Sequence, residues 1–269
     1  MGWFLPGAPA TRPLVRWRVL SVAFWSFMVL SSALLFPVAV AIWALTSLFD
    51  RRLVVLHRFT CFWASLYTWL NPAWRVRVEG REKVDPRAAY VMVANHQSFV
   101  DILVLFRLFV HFKWVSKIEM FRIPAIGWNM RLNRYIALRR GERDSILQMM
   151  AACEKTIAEG NSVMMFPEGT RSPDGRLKEF KHGAFTLALN SHAPILPIVV
   201  EGTARALPKH GFLLRGPHAI RIRILDAIPY ASFAGASVES LTQQVRELFV
   251  VELGEPARRE SAESAVRAG

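Results

Sequence analysis

Tyr90-Val91-Met92-Val93-Ala94-Asn95-His96-Gln97-Ser98-Phe99-Val100-Asp101 carries a short apolar run into a polar turn. The first five residues are bounded and partly β-branched, so they read as a buried strand. Ile102-Leu103-Val104-Leu105-Phe106 then leads out of the turn as the start of a helix. Ser98 followed three positions later by Asp101 fits a capping box, which sets His96 in the turn before a helix N-terminus. With four residues between them, Asp101 can hold one ring nitrogen of His96 and leave the other free. That arrangement suits a general base acting on an alcohol. Alone, the same residues read as a capping aspartate beside an ordinary loop histidine.

Strands and helices alternate on both sides of this stretch. Arg75-Val76-Arg77-Val78-Glu79 alternates with period two and stops at Gly80, as an edge strand does. His111–Ser116, Tyr135–Leu138, Ser162–Phe166, Ile195–Val200 and Ala219–Leu225 read as further strands. Glu142–Glu159 is a helix, with Ile146, Met149, Met150, Cys153 and Ile157 on one face and Gly160 as its stop. Gly183–Asn190 and Val238–Leu253 read as helices, and 117–133 as a short helix with loops. The expected fold is α/β: a mixed or mostly parallel sheet with helices on both faces, preceded by N-terminal membrane-anchoring helices.

The anchor is read from composition. Lys and Arg total 34 against 21 Asp and Glu, a net charge of +13, and 52% of the residues are hydrophobic. A basic, apolar chain fits an anionic membrane surface or nucleic acid. The concentration of apolar residues near the N-terminus favours the membrane and argues against nucleic acid. Val19 to Phe49 runs 31 residues without a charge, where about 20 suffice to span a bilayer. Pro37 inside it would kink a span or break it into a hairpin. Arg12, Arg16 and Arg18 on one side balance Arg51, Arg52 and Arg58 on the other, so charge leaves the orientation open. The aromatic-rich 59–74 segment fits an interfacial helix, or a helix packed on the domain core. The expected organisation is a leader at 1–18, an anchor at 19–74, a catalytic domain at 75–253 and a disordered tail at 254–269. Cys61 and Cys153 supply no disulfide framework, which suits a domain facing the cytoplasm at an inner or plasma membrane.

A second motif, Phe166-Pro167-Glu168-Gly169-Thr170-Arg171-Ser172, ends another apolar run. Backbone N–H groups and a guanidinium in a turn after a strand can bind phosphate; Glu168 and Arg171 can also form a local ion pair. Asn95-His96-x4-Asp101 together with Phe-Pro-Glu-Gly-Thr-Arg-Ser resembles the paired signature of the glycerolipid acyltransferases, with the 1-acyl-glycerol-3-phosphate acyltransferases as nearest relatives. The resemblance covers roughly 75–225. It implies His96 as base, Asp101 as its orienting partner, and Glu168, Gly169, Thr170 and Arg171 on the acceptor's phosphate. Lys117 and Arg139-Arg140 are similar to a further block and would complete that site, though without the family they are surface charges. Pro197 resembles a block tied to the acyl-chain region; it reads equally as a structural proline in an edge strand.

The implied reaction moves a fatty acyl group from an acyl-CoA or acyl carrier protein thioester to the sn-2 hydroxyl of 1-acyl-glycerol-3-phosphate, forming phosphatidic acid, with no metal and no cofactor. Another lysolipid, such as an amino-acid-containing one, is the alternative acceptor. A lipid hydrolase would need a nucleophile, and Ser98 lacks the strand-elbow glycines of one. A non-catalytic membrane protein would not need both motifs intact.

Overall fold

The computed structural model describes residues 11–208, 211–214 and 216–254. Most of the leader and all but the first residue of the tail therefore lie outside the described residues. Two helices open the chain, α1 (Thr11–Thr46) and α2 (Val54–Trp69). Seven strands follow: β1 (Trp74–Glu79), β2 (Val91–Ala94), β3 (Phe112–Lys117), β4 (Ile136–Leu138), β5 (Ser162–Met165), β6 (Ile195–Glu201) and β7 (His218–Ile224). Between and after them lie α3 (Val100–Leu105), α4 (Ile126–Leu132), α5 (Arg143–Ala158), α6 (Gly183–Asn190), α7 (Thr203–Ala206) and α8 (Val238–Leu253).

The strands form one sheet in the order β1-β7-β6-β2-β5-β3-β4. All pairs are parallel except β6 with β7, so the sheet is mixed and mostly parallel as expected. Alternation along each strand splits the core into two layers. Met92, Ala94, Trp114, Met164, Leu196 and Ile198 face the layer that includes buried residues of α1, α2 and α3. Val91, Val93, Val163, Ile195 and Val199 face α5, α6 and α8. Helices thus cover both faces, and β1, whose burial alternates, forms one edge.

Four local readings are corrected. Pro197 sits in an interior strand, not an edge strand: β6 lies between β2 and β7. It is tolerated at a break in the antiparallel pairing: Ile195 pairs with Ile228, the ladder with β7 resumes at Ile198, and Pro197 between them gives only its carbonyl, to the Leu225 N–H. On α5 the buried residues are Met149, Cys153 and Ile157; Ile146, in the first turn, is exposed. Only half of the capping box forms: Asp101 accepts from the Ser98 N–H at 2.7 Å, while Ser98 Oγ accepts from Val100 N–H. α1 passes Pro37 as one unbroken helix of 36 residues, roughly 54 Å long at the usual rise, so the hairpin does not form.

Within α1, Val15–Thr46 is long and apolar enough to cross a membrane, and only 22% of its most apolar window is buried. The face of α2 that carries His57, Cys61, Trp63 and Tyr67 is buried in the domain, while Val55, Phe62 and Trp69 remain exposed on the other side.

Candidate active site

The parallel register builds the site. β2 and β5 are neighbours running the same way, so the turns after their C-terminal ends, 95–99 and 166–172, meet side by side, where α/β sheets open a crevice. β3 and β4 come next in the sheet, and their ends deliver Lys117 and Arg140. Motifs some 70 residues apart in the chain converge because of strand order alone.

His96 Nδ1 lies 2.9 Å from Asp101 Oδ2. The same oxygen accepts the N–H groups of Gln97 at 2.6 Å and Ser98 at 2.7 Å. His96, Gln97 and Ser98 thus converge on one buried oxygen of Asp101. With Nδ1–H donating to that oxygen, the Nε2 lone pair is left free. The ring stacks on Phe166 with centroids 3.9 Å apart and planes within 9°, so its plane is fixed from a second side. Asn95 is a further anchor, since its side chain exchanges two 2.8 Å hydrogen bonds with the Val200 backbone and ties the end of β2 to β6.

His96 lines an apolar cavity of about 370 Å³ that reaches inward to Trp63, Tyr67 and Trp114. Lys117, Arg140, Thr170 and Arg171 line the same cavity. The cavity lining thus brings together an imidazole, three cations, a hydroxyl and a wall of apolar side chains. Arg139 stands apart: it does not line the cavity, and its guanidinium pairs with Glu142 at 3.3 Å. Arg140, one residue on, lines the cavity instead.

Glu168 does not line the cavity. Only 2% exposed, it accepts from His96 N–H at 2.6 Å and from Lys178 N–H at 3.1 Å. In return, the His96 carbonyl accepts from Ser172 N–H at 2.8 Å. Glu168 therefore clamps the two motif turns together, a role unlike phosphate contact. Burial raises its carboxyl to about 7 against the pull of the two N–H donors, and the Asp101 charge adds to the rise. The Gly169 N–H is also committed, to the Phe166 carbonyl at 3.0 Å. Gly169 has φ +70°, and a Cβ there would fall 2.9 Å from Lys181 Cε; it shapes the turn.

Pro197 lines neither this cavity nor its neighbour. Alternation from Leu196 and Ile198 turns it to the opposite face of the sheet, so the acyl-region role does not fit its position. The residues that do form the apolar wall include Trp63 and Tyr67 of α2 and Trp114 of β3. No motif marks them, because a wall is made of whatever apolar residues the topology places there.

The acyltransferase family model matches residues 75–201. A 1-acyl-sn-glycerol-3-phosphate acyltransferase of Chlamydomonas reinhardtii is 35% identical over 242 residues, covering 89% of this chain and 72% of its own. A chloroplastic 1-acyl-sn-glycerol-3-phosphate acyltransferase of Arabidopsis thaliana is 40% identical over 165 residues, covering 60% of this chain and 45% of its own. The crystal structure of the 1-acyl-sn-glycerophosphate acyltransferase of Thermotoga maritima shares the fold with a TM-score of 0.72 at 23% identity, over 92% of this chain and all of that one.

Proposed function

The chain belongs to the 1-acyl-sn-glycerol-3-phosphate acyltransferase family, and from that membership we propose how its site transfers an acyl group to lysophosphatidate. The observation that carries the reading is the His96–Asp101 pair at 2.9 Å, opening on a cavity that also holds Lys117, Arg140 and Arg171.

The acceptor's phosphate pairs with Arg171, Arg140 and Lys117, and this sets its free sn-2 hydroxyl at His96. Nε2 takes the hydroxyl proton as the oxygen attacks the thioester carbonyl. Asp101 stabilises the imidazolium that forms. The tetrahedral intermediate collapses with cleavage of the C–S bond, and the thiolate of coenzyme A or acyl carrier protein leaves with the proton from His96. An ester bond has replaced a thioester bond, and phosphatidic acid is the product. No acyl-enzyme and no cofactor enter this scheme. The donor's chain extends into the apolar interior beyond Trp114. α1 attaches the enzyme to the membrane, with the catalytic domain on the cytoplasmic side, where the thioester carriers are.

The test is labelled acyl transfer to lysophosphatidate in membranes. His96→Ala should lower kcat at least about a hundredfold, the range for removing a general base. Arg171→Ala should raise the acceptor's KM about tenfold or more, as lost charge-assisted hydrogen bonds do. Arg139→Ala, outside the cavity, should stay near wild type. An enzyme inactive on lysophosphatidate but active on another lysolipid would keep the mechanism and replace the acceptor.

A further inference from the structure

We infer that a second cavity, between α1 and the domain, seats the acceptor's acyl chain. It encloses about 920 Å³, within the range of small-molecule sites. Its walls are Trp25, Val29, Ala33 and Phe36 of α1 on one side and the 123–128 segment on the other. It meets the first cavity at four shared residues: Met28, Phe99, Ile126 and Arg171.

The chemistry of the reaction explains why there are two chambers. Two long chains, one on the donor and one on the acceptor, must lie in apolar surroundings while their polar ends meet at one base. The cavity that His96 lines, about 370 Å³, has room for one such chain, and the other needs a separate seat. The second chamber adjoins the first at Arg171, the residue positioned for the acceptor's phosphate, so a lysolipid whose phosphate is held there has its own chain beside this chamber.

Charge and position decide which chain goes where. Among the described residues, Arg171 is the only charged one lining the second chamber, which suits the tail of a molecule whose headgroup sits at the junction. One wall is α1, the helix that is long and apolar enough to cross a membrane. Val29 on that wall is 69% exposed, so the chamber opens toward the apolar face of α1. The acceptor's chain starts in the bilayer, while a thioester donor arrives from water. The chamber walled by the membrane helix therefore belongs to the acceptor. This assignment rests on the lysophosphatidate reading above.

The experiment fills the second chamber from α1. Ala33 and Val29 line it and do not line the first, and both are exposed. In full-length enzyme in vesicles, Ala33→Trp should raise KM for palmitoyl lysophosphatidate about tenfold, while KM for hexanoyl lysophosphatidate moves by less than about threefold. The order of preference among donor chain lengths should stay that of the wild type. Val29→Trp provides a second variant with the same expectation. A photoreactive group at the end of the lysophosphatidate chain, which needs no turnover, should label residues of α1 between 25 and 37. A shifted donor preference with an unchanged acceptor KM would reverse the two seats and overturn the inference. So would equal KM changes for the short and long acceptors, or labelling confined to α2. Wild-type enzyme that neither acylates nor is labelled by lysophosphatidate would instead remove the functional reading itself, and the inference with it.

Discussion

Glu168 is the residue whose chemistry departs furthest from its motif. In the chain it stands three positions before Arg171, and an ion pair or a substrate contact is the natural reading. In the structure it is turned inward onto the His96 N–H, and burial lifts its carboxyl from the ordinary 4.5 to about 7. A carboxyl raised on folding means that the native state holds a proton the unfolded chain has already lost between about pH 4.5 and 7. Stability should then fall as pH rises through that window, by on the order of 3 kcal/mol in all. Glu168→Gln keeps an acceptor for the His96 N–H and has nothing to titrate. The wild-type unfolding midpoint should decline across the window relative to the Gln variant, whose curve lacks this component; parallel curves would refute it. Glu168→Ala strands two N–H donors and should cost about 1–3 kcal/mol for each buried group left unpaired. His96 and Asp101 were legible because the two residues that touch are also close in sequence. Glu168 was not, since its partner lies 72 positions away and only the pairing of β2 with β5 brings them together.

Elements with one strong periodicity were read to within a residue or two: α5, α6, α8 and the strands on either side of the two motifs. Two kinds of element were not. Pro197 suggested an edge because proline lacks a ladder donor, but a strand can carry proline inside a sheet where the ladder with one neighbour is interrupted. The aromatic run at 59–74 fits either a headgroup or a core, and only the packed structure shows how much of α2 is buried. The 117–133 block was legible as a short helix with loops, though not in its tightness. Gly127, in the first turn of α4, has the Phe121 carbonyl where a side chain would go: a Cβ would stand 2.5 Å from that oxygen. A backbone atom cannot yield as a side-chain tip can. Gly127→Ala should therefore push α4 away from the preceding turn and cost about 1–3 kcal/mol, as overpacking does. Because Ile126 lines both chambers, the same variant should also blur acyl-chain selectivity. A melting curve together with a chain-length series checks both; a variant that melts like wild type would show that the turn can give.

On the scale of the whole molecule, α1, long and apolar enough to cross a membrane, is also packed on the domain. α1 is tied to the domain at three levels: Ser21 Oγ accepts from Leu214 N–H at 2.9 Å, Trp25 Nε1 donates to the Phe212 carbonyl at 2.8 Å, and Ser31 and Ser32 meet the Tyr67 hydroxyl at 3.0 and 3.2 Å. Hydrophobicity alone would not hold α1 in place, since lipid satisfies an apolar helix as well as protein does. Polar ties fix its rotation, and that rotation sets the wall of the second chamber. The Tyr67 hydroxyl, which also accepts from Trp63 Nε1 at 2.5 Å, is the centre of the deepest tie. Tyr67→Phe removes one atom, leaves the buried indole N–H without its acceptor and frees both serines from the domain, Ser31 keeping its bond to the Phe27 carbonyl. The expected loss is about 1–3 kcal/mol, read as a lower melting midpoint in micelles. If α1 were only a tether, the acceptor's KM would be insensitive to this change. With α1 as a wall of the site, KM for a long-chain acceptor should rise while the fraction of enzyme in the membrane stays that of the wild type.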